Sequence, residues 1–145
     1  MATSTPIHIK VISEIQQLND PDKEKIEFQT VGEYYIKENK TYIRYDEEHE
    51  LGFVKTTLKM SENEVMVMRS GAVTMKQRFS ENQLTATDYT TPFGKLQLVT
   101  HTKSIKVEKD QQKLQGFIRV IYELEIGENE KHLHTLFIAF KEDIK

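Results

Sequence analysis

A chain of 145 residues fits one domain and is long enough to bury a core without covalent staples. Its 37% apolar and 30% charged residues suit a sheet with one buried and one wet face, and the recurrence of Ile, Val, Tyr and Phe argues against disorder. A net charge of −3 supplies no positive field for nucleic acid or anionic membrane, and the lack of cysteine excludes disulfides, thiolate nucleophiles and cysteine-bound zinc.

In chain order, the first residues, Met1 to Pro6, hold no apolar stretch of the signal-peptide kind. Ile7, Ile9 and Val11 begin a strand, after which residues 12–18 have helical spacing that Pro21 ends. Over residues 24–37, Ile26, Phe28, Thr30, Gly32, Tyr34 and Ile36 share one parity against Glu27, Gln29, Glu33 and Lys37, which predicts a long strand. Gly32 interrupts it and marks a bend or a close backbone approach. The acidic run Asp46, Glu47, Glu48 and Glu50 reads as a solvated hairpin tip. Val54, Thr56, Leu58 and Met60 form the next inward set.

In residues 65–69 both parities are apolar until Arg69, which shares its parity with Val65 and Val67. Val73, Met75, Gln77 and Phe79 alternate with Thr74, Lys76 and Arg78; Leu96, Leu98 and Thr100 follow, then Ile105 and Val107 as a further run. The longest alternation is Leu114, Gly116, Ile118, Val120, Tyr122, Leu124 and Ile126 against Arg119, Glu123 and Glu125. The last strand, residues 133–140, is apolar on both faces from Leu136 to Phe140.

Turn signals at Asn19-Asp20-Pro21-Asp22, Glu38-Asn39, Ser61-Glu62-Asn63, Ser70-Gly71, Ser80-Glu81-Asn82, Thr91-Pro92-Phe93-Gly94 and Gly127-Glu128-Asn129 separate ten or eleven strands. The connections are too short for crossover helices, so neighbours pair antiparallel, and no long return connection of the Greek-key kind is visible. The expected fold is all-β, an antiparallel up-and-down barrel of about 8–11 strands, occupying residues 1–145 as one domain. No apolar run approaches the roughly 18 residues of a membrane helix, and the chain reads as cytosolic, with no membrane or nucleic-acid partner.

Few residues point to chemistry. His132 and His134, two apart on a strand, face one side and could share a metal, but His8, His49 and His101 form no further spaced pair, so a metal site lacks ligands and the two read as solvated or rim histidines. There is no Gly-x-Ser-x-Gly elbow and no glycine-rich phosphate loop, and Glu123 and Glu125 lie on a polar face. No catalytic residue and no cofactor is assigned. Arg69 stands apart: arginine is seldom buried unless paired, so it reads first as an outward residue beside a turn, but its parity with Val65 and Val67 would also turn it inward, where it would have to meet an inner acid, a carbonyl cluster, water or a ligand carboxylate.

Residues 47–57, reading Glu-Glu-His-Glu-Leu-Gly-Phe-Val-Lys-Thr-Thr, and residues 64–79, from Glu64-Val65-Met66-Val67-Met68-Arg69-Ser70-Gly71 to Gln77-Arg78-Phe79, carry a resemblance. So do Ile26-Glu27-Phe28 before Gly32, Tyr34 and Tyr35, the Thr91-Pro92-Phe93-Gly94 turn, Thr102-Lys103-Ser104-Ile105 and His132-Leu133-His134. In this order, across nearly the whole chain, they resemble the YwiB-like family of bacterial proteins. The resemblance implies a calycin-like, lipocalin-type β-barrel and a cytosolic location. It implies no reaction and no active-site residue.

Two uses of such a barrel follow. In one, the barrel holds a small apolar or amphipathic molecule against Phe28, Tyr34, Met75, Phe79 and Tyr122, with Thr56, Gln77, Thr100 and Arg69 as polar contacts. An anionic ligand would then be oriented by Arg69, with Tyr34 or Tyr122 donating a hydroxyl. In the other, side chains fill the barrel and the protein is a non-enzymatic interaction or structural module. The two-faced last strand would then be covered by a second copy, making a homodimer, or by the N-terminal segment around Ile12, Ile15 and Leu18.

Overall fold

The computed structural model describes residues 3–17, 20–61, 63–110, 112–127 and 130–143. Leu18, Asn19, Glu62, Glu128 and Asn129, on which parts of the expected helix and turns fall, lie outside these residues.

Ten antiparallel strands form one sheet: β1 (Thr5–Gln17), β2 (Lys23–Lys37), β3 (Lys40–His49), β4 (Gly52–Ser61), β5 (Glu64–Gly71), β6 (Met75–Ser80), β7 (Leu84–Thr91), β8 (Gly94–Lys109), β9 (Gln115–Ile126) and β10 (Glu130–Glu142). Their order in the sheet is β6-β5-β4-β3-β2-β1-β10-β9-β8-β7, so each strand lies beside its sequence neighbour and the first strand pairs with the last over Ile7↔Glu142 to Gln17↔His132. The result is an up-and-down barrel closed everywhere except between β6 and β7. There the wall is held by the Thr74–Thr90 bridge, by Asn82 N–H donating to the Thr102 carbonyl at 2.8 Å, and by the Thr85 hydroxyl donating to the Arg78 carbonyl at 2.7 Å. Among the described residues no helix is long and apolar enough to cross a membrane.

The helical spacing after Val11 is overridden: those residues extend β1, which is hydrogen-bonded on both sides, to β2 and β10. A segment flanked by two partner strands satisfies its backbone by ladders, which outweighs a short local helical preference. Ile12 therefore stands beside Phe137 as a strand neighbour, and the N-terminal segment does not lie over β10 as a cover.

Period-two alternation sets the inside. Ile7, Ile9, Val11, Ile43, Leu58, Val65, Phe79, Ile118, Val120 and Ile138 are nearly or wholly inaccessible. Gly32 sits in register with Ile7 and Tyr45, where an added Cβ would run into the Arg44 carbonyl oxygen and the Ile9 side chain. The expected close approach is thus real. The separate runs at residues 96–100 and 105–107 are one strand, β8. Between Thr102 and Ser104 the register to β9 shifts by one, so Lys103 is extra and the inward parity changes from even to odd.

Candidate functional site

The barrel has two ends. The hairpins around Asn39 and Asn63, together with the start of β1 and the end of β10, mark one end; the hairpins at Leu51 and Phe93 mark the other. The interior differs between them.

Toward the second end lies a chain of polar side chains on inward positions of β3, β4, β5, β9 and β10. Glu47 is on the parity of Ile43 and Tyr45, and its register through Val54 and Thr56 brings it to Arg69. Arg69 Nε lies 3.5 Å from Glu47 Oε1, near enough for an ion pair though too far and bent for a hydrogen bond. The Thr56 hydroxyl donates to the same Oε1 at 3.3 Å. Glu47 is therefore no solvated tip residue: only 14% of its side chain is exposed. The signal for it was the parity of Ile43 and Tyr45, which the acidic composition of the run masked.

Tyr45 and Tyr122 flank Arg69. Burial pushes the Tyr45 hydroxyl well above its ordinary range and the Tyr122 hydroxyl up to about 12, with the Arg69 charge opposing both shifts. Tyr122 OH lies 3.4 Å from His134 Nδ1, and its ring stacks on that imidazole. His132 stacks on His134 in turn, ring centroids 5.9 Å apart. His134 is buried, and burial, aided by the neighbouring His132, holds its pKa down to about 4. The expectation of solvated histidines thus fails for His134, because the pair lies on the inward parity of β10, opposite Tyr122 and Leu124. Among the described residues no three metal-ligating groups come together.

The middle of the barrel is filled. Phe79 and Tyr122 meet at 4.7 Å between centroids, and the Gln77 amide donates to Thr100 Oγ1 at 2.9 Å. Thr56, Met75, Gln77, Phe79, Thr100 and Tyr122 are buried, and Phe28 is partly buried against the core. All nine residues expected to line the interior do face inward, but they are not brought together. Arg69, Thr56 and Tyr122 cluster at one end, whereas Tyr34 lies at the other, stacked on Phe140.

Tyr34's end is open. A recess of about 420 Å³ is lined by Tyr34, Thr41, Met60, Val107, Lys109 and Phe140. It shares Ser61 and Val107 with a second recess of about 750 Å³, which Val65 and Ile105 also line. Val107 stays 48% exposed, an apolar side chain at the mouth. The Tyr34 hydroxyl is buried without a hydrogen-bond partner, and Lys109 Nζ sits 5.1 Å from the centre of the Tyr34 ring.

A family model described as a domain of unknown function, DUF1934, matches residues 9–138. The chain belongs to the DUF1934 family. It is 47% identical over 141 residues to the uncharacterised β-barrel protein YwiB of Bacillus subtilis (strain 168), covering 97% of this chain and 96% of that one. The crystal structure of the Bacillus subtilis ywiB protein superposes with a TM-score of 0.87 at 45% identity, covering 97% of this chain and 94% of that chain. The DUF1934 match takes in the whole polar chain from Glu47 to His134 and most of the open end, Tyr34, Met60 and Val107 included.

Proposed function

We propose that this DUF1934 barrel is a non-catalytic binding protein that holds a small amphipathic molecule in its open end. The observation that carries the reading is the buried Tyr34 hydroxyl, which has no partner and borders a recess of ligand size. An apolar body would lie against Met60, Val65, Ile105, Val107 and Phe140, and an acceptor atom would take the Tyr34 hydrogen. Arg69 has Glu47 as its counter-charge, so it does not need a ligand's carboxylate. The filled middle, at Phe79, Tyr122, Gln77 and Thr100, confines the ligand to one end. A lipocalin-type relationship and a cytosolic location, the latter resting on the cysteine-free composition, belong to the same reading.

The same filled middle favours a second reading, a structural barrel that works through its outer face. Proton–methyl NMR during a titration with decanol separates the two. The first expects shifts at Met60, Val65 and Val107 that a Val107→Trp substitution removes and Tyr34→Phe weakens several-fold. Shifts absent from that end in the wild type leave only the second.

A further inference from the structure

A third concavity lies on the outside of the wall, across β1, β10 and β9 and against the end of β8. Its volume is about 660 Å³, and its lining is the most aromatic of the three. Phe117 and Phe137 meet there at 5.3 Å between centroids, with Ala139 beside them. These are outward positions, since Ile118, Ile138 and Phe140 point into the core. An outward aromatic floor, like the outward Tyr35–Tyr42 stack on β2 and β3, adds nothing to the core.

The charges around the floor are unequal in their commitments. Glu108 pairs with Lys106 at 3.3 Å, and one Asp110 carboxylate oxygen accepts the backbone N–H of Gln112 and of Lys113. His8 pairs with Asp143, and Lys10 with Glu27. Lys109 and Lys141 also line the groove, and among the described residues neither enters an ion pair. Both acids are therefore occupied; of the two ammonium groups, Lys109 lies over the Tyr34 ring, while Lys141, beside the apolar floor, has no partner among the described residues.

We propose that this outer groove is a binding site for an anionic amphiphile, a small molecule with an aromatic or aliphatic body and a carboxylate, sulfonate or phosphate group. The body lies on Phe117, Phe137 and Ala139, and the anion meets Lys141. The volume falls in the range of small-molecule sites, and a charge-assisted contact beside a low-dielectric floor is worth more than one in open solvent. The groove shares Lys109 and Phe140 with the open end, while Lys141, Phe117 and Phe137, which carry the proposal, belong to the groove alone.

A matched probe pair tests it: anilinonaphthalene sulfonate and its neutral parent N-phenylnaphthylamine, titrated by fluorescence into the wild type and into Val107→Trp, which blocks the open end. In both proteins the sulfonate should bind more tightly than the parent by roughly ten-fold. Lys141→Gln, which touches only the groove, should remove most of that preference, and Phe137→Glu should abolish sulfonate binding with the far-ultraviolet circular dichroism unchanged. Equal binding of the two probes in Val107→Trp, or sulfonate binding that survives Phe137→Glu, overturns the proposal. So does a wild-type dimer in sedimentation that Phe137→Glu converts to monomer, because a second copy would then cover the groove.

Discussion

Glu47 and Arg69 show what a single inward charge demands of its neighbours. Both side chains are mostly buried, and each is the other's counter-charge, with Thr56 adding a hydrogen bond to Glu47. Glu47→Gln leaves the arginine facing the interior without that charge. It should lower stability in urea unfolding by about 1–3 kcal/mol, less than for a fully buried pair because the guanidinium keeps some solvent. A loss within about 0.5 kcal/mol, the usual range of surface substitutions, would mean that the pair contributes nothing. His134 makes a second prediction. Its folded pKa, about 4, lies below the ordinary 6.5, so as pH falls through that window the unfolded chain binds the proton first and stability drops. The loss attributable to this group is on the order of 3 kcal/mol by pH 4. It should appear as a steeper decline of melting temperature with acidification in the wild type than in His134→Phe, whose ring cannot titrate. Parallel curves would place the histidine in contact with water. Two valines on its parity pointed Arg69 inward against the more ordinary outward reading, and the Glu47 counter-charge explains why it stays there; Glu47's own direction was not legible, because charge composition spoke louder than the parity of its neighbours. His134 was missed for a related reason: a histidine on an apolar strand reads as polar until its cross-strand partner, Tyr122, is known.

Within the elements, periodicity carried the long strands and failed where the pairing breaks it. β2, despite Gly32, and β9 were readable to within a residue or so at their ends. β8 looked like two strands because the Lys103 bulge moves the inward set from Leu98, Thr100 and Thr102 to Ile105 and Val107. β3 and β7 were not resolved as runs, since Arg44, Asp46 and Asp88 surround their few apolar inward residues. The bulge yields a sharp prediction. Lys103→Ala removes only a partly exposed ion pair with Glu123 and should cost less than about 1 kcal/mol. Deleting Lys103 joins Thr102↔Tyr122 directly to Ser104↔Ile121, so Ile105 and Val107 stay opposite Val120 and Ile118 on the inward side and the protein should keep its cooperative thermal transition, whereas inserting a second residue there turns them outward and should abolish it. An insertion variant that melts like the parent would show that the register after Thr102 is free to slip.

Seen whole, the barrel is a meander whose termini are sewn together. The β1–β10 ladder is long, while the β6–β7 gap has one isolated bridge and a few loop bonds. Amide hydrogen exchange should therefore proceed first along the facing edges of β6 and β7 and last in β1, β9 and β10. Uniform protection around the wall would mean that the gap is closed by contacts as strong as the ladders. The overall architecture was legible because every connection is short and most long strands have one wet face. The division of the interior into a filled middle, a polar end and an open end was not, because strand parity says which residues point inward but not how far along the axis each one lies. That division decides the function proposed for the molecule. Native mass spectrometry of protein purified without detergent tests it most directly: the wild type should carry, or take up from added decanol, one small molecule that Val107→Trp does not hold. A wild-type barrel that stays bare under both conditions would contradict a ligand in its open end.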